Sequence, residues 1–109
     1  MLPVVLFVLL SAVQGQTPTT AVDYNNRGLA QKGKGDLDGA IADYTKAIEI
    51  DPRNAEAYKN RGLALLTKGR DQEAEQDFKK AIELDPKLKP TIEKQASEIK
   101  EARKAIPKP

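Results

Sequence analysis

The side chains able to do chemistry in this sequence of 109 residues are carboxylates, lysines, arginines, asparagines and two serines, for it has no Cys, no His and no Trp. Without thiols or imidazoles there is no thiolate nucleophile, no histidine base and no zinc or copper site of the usual kind. The serines are Ser11 and Ser97, and with no His in the chain a Ser-His-Asp arrangement cannot form. Carboxylate pairs remain as acid and base, yet the acids sit among lysines at helix-surface spacing, the pattern of a solvated face. These residue types predict no enzyme, no cofactor and no metal site. They leave recognition through amides, charges and apolar side chains.

The elements that position such side chains must be thin. All 34 charged residues lie between Asp23 and Lys108. From residue 16 onward 32 of 94 residues are apolar, and 13 of those are Ala, which leaves 19 large apolar side chains. So few cannot build one thick core, so the apolar surface is spread along seams between stacked helices. No disulfide can assist, and packing alone must hold the fold.

Residues 1–15, MLPVVLFVLLSAVQG, are different in kind. The apolar run from Val4 to Leu10, continued by Ala12 and Val13, is shorter than the ~20 residues needed to span a bilayer. Its length suits a secretory signal peptide, and Val13 and Gly15 suit a cut before Gln16, although no Lys or Arg precedes the run. The expectation is an exported protein, periplasmic or secreted, with no stable membrane span after cleavage; the missing basic residue leaves a membrane-tethered form as the alternative. Residues 16–20 then read as a short flexible leader.

Sliding the chain along itself reveals a duplication, since residues 21–54 and 55–88 are identical at 17 of 34 positions without a gap. Tyr24, Asn26, Arg27, Gly28, Leu29 and Ala30 recur as Tyr58, Asn60, Arg61, Gly62, Leu63 and Ala64. Lys46 to Glu49 recurs as Lys80 to Glu83, and Asp51-Pro52 as Asp85-Pro86. Each unit reads as two helices. The first ends near Gly33-Lys34-Gly35 or Lys68-Gly69, where glycine takes the left-handed conformation. Asp36 or Asp38, and Asp71 in the second unit, start the next helix as cap or first-turn acid. The residue before Pro52 or Pro86 is driven out of the α region and ends it, and Asn54 caps the first helix of the second unit. Outside the leader the aromatic residues are Tyr24, Tyr44, Tyr58 and Phe78, two pairs 34 apart. With Gly28, Gly62, Ala40, Ala47, Ala74 and Ala81 they predict small-into-large packing between paired helices, Tyr44 and Phe78 filling the space between units.

This pattern resembles the tetratricopeptide repeat family, whose 34-residue helix-turn-helix unit has Trp, Gly, Ala, Phe and Pro at set places. Tyr24 and Tyr58 stand at the Trp, Gly28 and Gly62 at the Gly, Ala40 and Ala74 at the Ala, Tyr44 and Phe78 at the Phe, Pro52 and Pro86 at the Pro. With Ala47 and Ala81 these are the expected repeat-core residues. Arg27 and Arg61 depart from the usual Leu, and Gln31 and Leu65 from the usual Tyr. The resemblance implies an all-α fold, a right-handed α-solenoid of two units, 21–54 and 55–88, closed by a capping helix over 89–106 with a tail at 107–109.

The cap continues the register, Ile92 falling at the Tyr position and Ala96 at the Gly position, with apolar residues at Ile92, Ala96, Ile99, Ala102 and Ile106. Pro90 suits the first helical turn, and Ala for Gly fits a helix with no partner to approach. Two units plus a cap are fewer than the three or so that stable arrays generally need, so a homodimer through this stripe or the repeat ends, a structural subunit with no groove ligand, is the alternative to a binding module.

The resemblance also places the first helix of each unit on a concave groove, where it assigns Asn25, Asn26, Leu29, Lys32, Lys59, Asn60, Leu63, Thr67 and Lys94. Asn26 and Asn60 suit the backbone of an extended peptide, Leu29 and Leu63 an apolar floor, Lys59 and Lys94 a carboxylate. The implied function is a non-catalytic adaptor or scaffold for a protein or peptide partner. Of the five groove positions by which chaperone-tail binders of the family hold their ligand, only Asn60 and Lys94 match, so that ligand is not implied. Net charge by segment is −1 for 21–54, 0 for 55–88 and +3 for 89–109, no footprint for nucleic acid, and no aromatic is left over to stack on bases.

Overall fold

A computed structural model describes residues 18–106, so the expected signal peptide at 1–15, the first two residues of the expected leader and the tail at 107–109 lie outside the described residues. Five α-helices follow one another: α1 Ala21–Gly33, α2 Leu37–Ile50, α3 Ala55–Thr67, α4 Asp71–Leu84 and α5 Lys89–Lys104, with a 3-10 turn Pro86–Leu88 before the last.

Local chemistry sets each boundary. The Thr20 hydroxyl accepts the Asp23 N–H at 3.1 Å and starts α1, so the end of the leader is a helix cap. Asp36 accepts the Gly39 N–H at 2.8 Å to start α2, and Asn54 accepts the Ala57 N–H at 3.1 Å to start α3. In the second unit Arg70 occupies the cap position without a side-chain cap bond, and Asp71 is a first-turn acid. Gly35 and Gly69, at φ +86° and +83°, turn the chain after the first helix of each unit.

The two units pack alike. Tyr44 is fully buried against Gly28, where an added Cβ would come to 2.5 Å from the ring, and Phe78 covers Gly62 in the same way at 2.6 Å. These rings therefore first fill the glycine gap inside their own unit. Tyr44 then reaches Ala64 of the next unit, and Phe78 reaches Ile92 and Ala96 of α5, so each also joins neighbours. Ala40, Ala47, Ala74 and Ala81 are buried completely, Tyr24 and Tyr58 only in part. Pro52 and Pro86 are not core residues, because both are exposed just beyond the helix ends they enforce.

The helices α1, α3 and α5 touch in sequence, while α2 and α4 make no comparable contact with one another. The array therefore curves with the first helices on its inner side, an all-α helical solenoid. The cap sits differently from its counterpart α3. It packs on α3 through Ile92, Ala96 and Ile99 but stands off α4, leaving an apolar-floored cleft of about 510 Å³ between them. Polar contacts bridge that gap: Lys100 pairs with Glu75 at 3.7 Å, and Arg103 reaches Asp71 at 2.8 Å and the Leu66 carbonyl at 3.3 Å. The apolar stripe of α5 is thus spent inside the chain as far as Ile99, and only Ala102 and Ile106 are exposed.

Candidate peptide-binding face

The inner face is built by the exposed edges of α1, α3 and α5. Asn26 and Leu29 project from α1, Leu29 with 45% of its surface exposed. On α3, Thr67 is exposed, but its hydroxyl donates to the Leu63 carbonyl one turn back at 2.8 Å. Lys94 is exposed on α5, and Lys59 is half-buried with Glu56 at 2.8 Å.

Three of the expected groove residues are turned inward. The Asn60 side-chain N–H donates to the Asn25 side-chain oxygen at 2.9 Å, both residues buried where α1 and α3 meet. They hold the two units in register. Leu63 is 3% exposed and belongs to the core with Leu65, Leu66 and Phe78, since the turn of α3 that carries it is wedged between α1 and α5. A row of positions inferred from a periodic pattern cannot distinguish a residue that lines a surface from one covered by the adjacent helix.

Leu63 nonetheless forms the floor of a shallow cleft of about 270 Å³, lined by Lys32, Leu63, Gln95, Glu98, Ile99 and Ala102. Burial lowers the pKa of Lys32 from the ordinary lysine value, and the positive charge of Lys59 lowers it further. Across from it, the side-chain oxygen of Gln95 is buried with no hydrogen-bond partner among the described residues. The cleft joins an apolar floor to the unpaired ammonium of Lys32.

Sequence reasoning missed the pairs behind the face. Arg27 holds Asp43 through two hydrogen bonds at 2.9 and 2.7 Å, and Arg61 holds Asp77 through two at 2.8 Å. These arginines depart from the Leu of the repeat pattern, and the structure gives their reason: each clamps the second helix of its unit and lies over Tyr24 or Tyr58, 5.4 or 5.8 Å from the ring centre. The signal was present, because Asp43 and Asp77 are among the 17 identities, each 16 residues after its Arg. Among the described residues no cluster of acids, His or Cys is placed to hold a metal ion, and no helix is long and apolar enough to cross a membrane.

Residues 55–88 match the family described as Tetratricopeptide repeat, and residues 33–69 match the one described as TPR repeat, together just over half of the chain. The chain belongs to the tetratricopeptide repeat family. Comparison with curated proteins gave no match. Membership makes the protein an interaction module in general terms, of a kind that is generally non-catalytic.

Proposed function

We propose that the protein is an exported adaptor that holds an extended segment of a partner protein on its inner face, across α1, α3 and α5. The observation that supports this most is the cleft over Leu63, where the unpaired Lys32 borders an apolar floor on the family's usual binding side. Removal of residues 1–15 during export is the second part of the reading, and it rests on the sequence.

Asn26 and Leu29 are the residues to change, because both are exposed and neither holds the fold. Asn60→Ala is unsuitable, since it would strand the buried Asn25 and read stability instead of binding. Capture of partners from an envelope extract by the purified chain should fall several-fold with Asn26→Ala and Leu29→Ala combined, at unchanged helicity. Undiminished capture would remove the inner face from the account. Mass spectrometry of the protein from fractionated cells should find an N-terminus at Gln16, and an intact Met1 in the cytoplasmic fraction would overturn export.

A further inference from the structure

The cations of the two units and the cap divide cleanly. Those least exposed are Lys32, Lys59, Arg61, Arg103 and Lys68, the last paired with Asp38. Lys59 has Glu56, Arg61 has Asp77 and Arg103 has Asp71, all at 2.8 Å. Among the described residues Lys32 alone is half-buried with no carboxylate within 4.0 Å. Its counterpart 34 residues on is Leu66, which is completely buried. The chain therefore places an ammonium group where the duplicated fold elsewhere places core leucine, and gives it no internal partner.

Such a charge is costly to the fold, and a carboxylate brought to it from outside would relieve that cost. The cleft has room for one. Leu63, Ile99 and Ala102 supply an apolar floor beside Lys32. Glu98, exposed on the α5 wall, repels a second acid at that end. We infer that the ligand of this cleft is an extended peptide segment in which a single acidic residue, seated on Lys32, adjoins an apolar residue that covers Leu63 and Ile99. This rests on the proposed inner-face binding and specifies the chemistry of the segment.

The probes are three fluorescein-labelled octapeptides with amidated C-termini, identical except for Asp, Asn or Lys immediately before a central Leu. Fluorescence anisotropy at low salt should show the Asp peptide binding the purified chain about tenfold more tightly than the Asn peptide, and the Lys peptide most weakly. Lys32→Leu should reduce that preference to within about twofold while raising the unfolding temperature, a pairing that a merely structural lysine would not produce. Lys32→Gln gives the same loss of preference should the Leu variant not fold. Lys79→Leu removes an equal charge from the exposed side of α4 and should leave the preference intact. Equal affinity for the Asp and Asn peptides, or a preference that survives loss of Lys32, overturns the acidic assignment while the inner-face reading stands. Absence of binding by all three peptides up to millimolar concentration overturns both.

Discussion

Replacing Gly28 by Ala tests whether the rings of the second helices are locked into the first helices. An added Cβ would lie 2.5 Å from Tyr44 Cε1 and 2.7 Å from Cδ1, against the ~3.5–4.0 Å of an ordinary carbon contact. The ring would have to retreat by about 1 Å, yet it is fully buried and packed with Ala40 and Ala64. Overpacking of this kind costs about 1–3 kcal/mol, of which better helix propensity returns up to ~1 kcal/mol, so a net loss of about 1–2 kcal/mol is expected. For a domain of this size that is a fall in Tm of roughly 5–15 °C. Gly33 provides the control in the same helix, because nothing lies within 4 Å of its added Cβ, and Gly33→Ala should gain about 0.5 kcal/mol. Urea unfolding followed by circular dichroism measures both, and Tyr44→Leu combined with Gly28→Ala should recover part of the loss through coupling. Matching effects of Gly28→Ala and Gly33→Ala, within about 0.3 kcal/mol, would refute the packing argument.

The other predictions use the duplication as an internal control. The Tyr44 hydroxyl is buried with no hydrogen-bond partner among the described residues, and the second unit has Phe78 at this place, so Tyr44→Phe should stabilise the chain by about 1 kcal/mol in urea unfolding; a loss of stability would show a missed partner. Burial, with Asp43 beside it, raises the Tyr44 pKa from 10.0 to about 12, so the folded state keeps a proton that the unfolded chain gives up. This stability is fully present below pH 10 and lost as pH rises through about 12; the gap between Tyr44→Phe and the parent should therefore widen above pH 10, and a constant gap would contradict it. Asn60→Ala should cost about 1–3 kcal/mol by leaving buried Asn25 unpaired, and the Asn25→Ala, Asn60→Ala pair less than the sum, which a double-mutant cycle reads directly. In the same kind of cycle Arg61 with Asp77 should couple more strongly than Arg27 with Asp43, because the Arg61 side chain is 23% exposed and that of Arg27 46%; equal values would mean that burial does not govern these pairs.

Most of the helix boundaries could be read in advance because their causes are local. Gly35 and Gly69, Asp36, Asn54 and the Asp-Pro steps each act within a few residues of the end they set. Small-into-large packing was legible at the level of residue type, but Tyr44 and Phe78 were expected between units, whereas each ring first fills the glycine gap of its own unit. The candidate face was harder. Position in the repeat placed Asn25, Asn60 and Leu63 on the groove side, but the contact between α1 and α3 closes over them, and that contact depends on interhelix distance, which no periodicity encodes. Arg27 and Arg61 looked like departures from a pattern because their partners Asp43 and Asp77 lie on another helix. The cleft residues Gln95, Glu98, Ile99 and Ala102 belong to the cap, which packs on α3 and so brings them beside Lys32, and that placement is a property of the whole packing.

One position occurs three times in the array and shows how packing and function separate. In α3 it is Leu66, completely buried at the centre of the larger core. In α5 it is Lys100, exposed and paired with Glu75 of α4 at 3.7 Å. In α1 it is Lys32, which has neither the burial of the leucine nor the partner of the other lysine. Were Lys32 only a tolerated surface lysine, it would be solvated or paired, as Lys100 is. Instead Lys32 is held half-buried in the inner face with Lys59 nearby, which lowers its pKa and works against folding. A lysine of this kind, at a place where the same sequence elsewhere uses leucine, is what the proposed acidic ligand would relieve, and the Lys32→Leu variant separates that reading from packing alone.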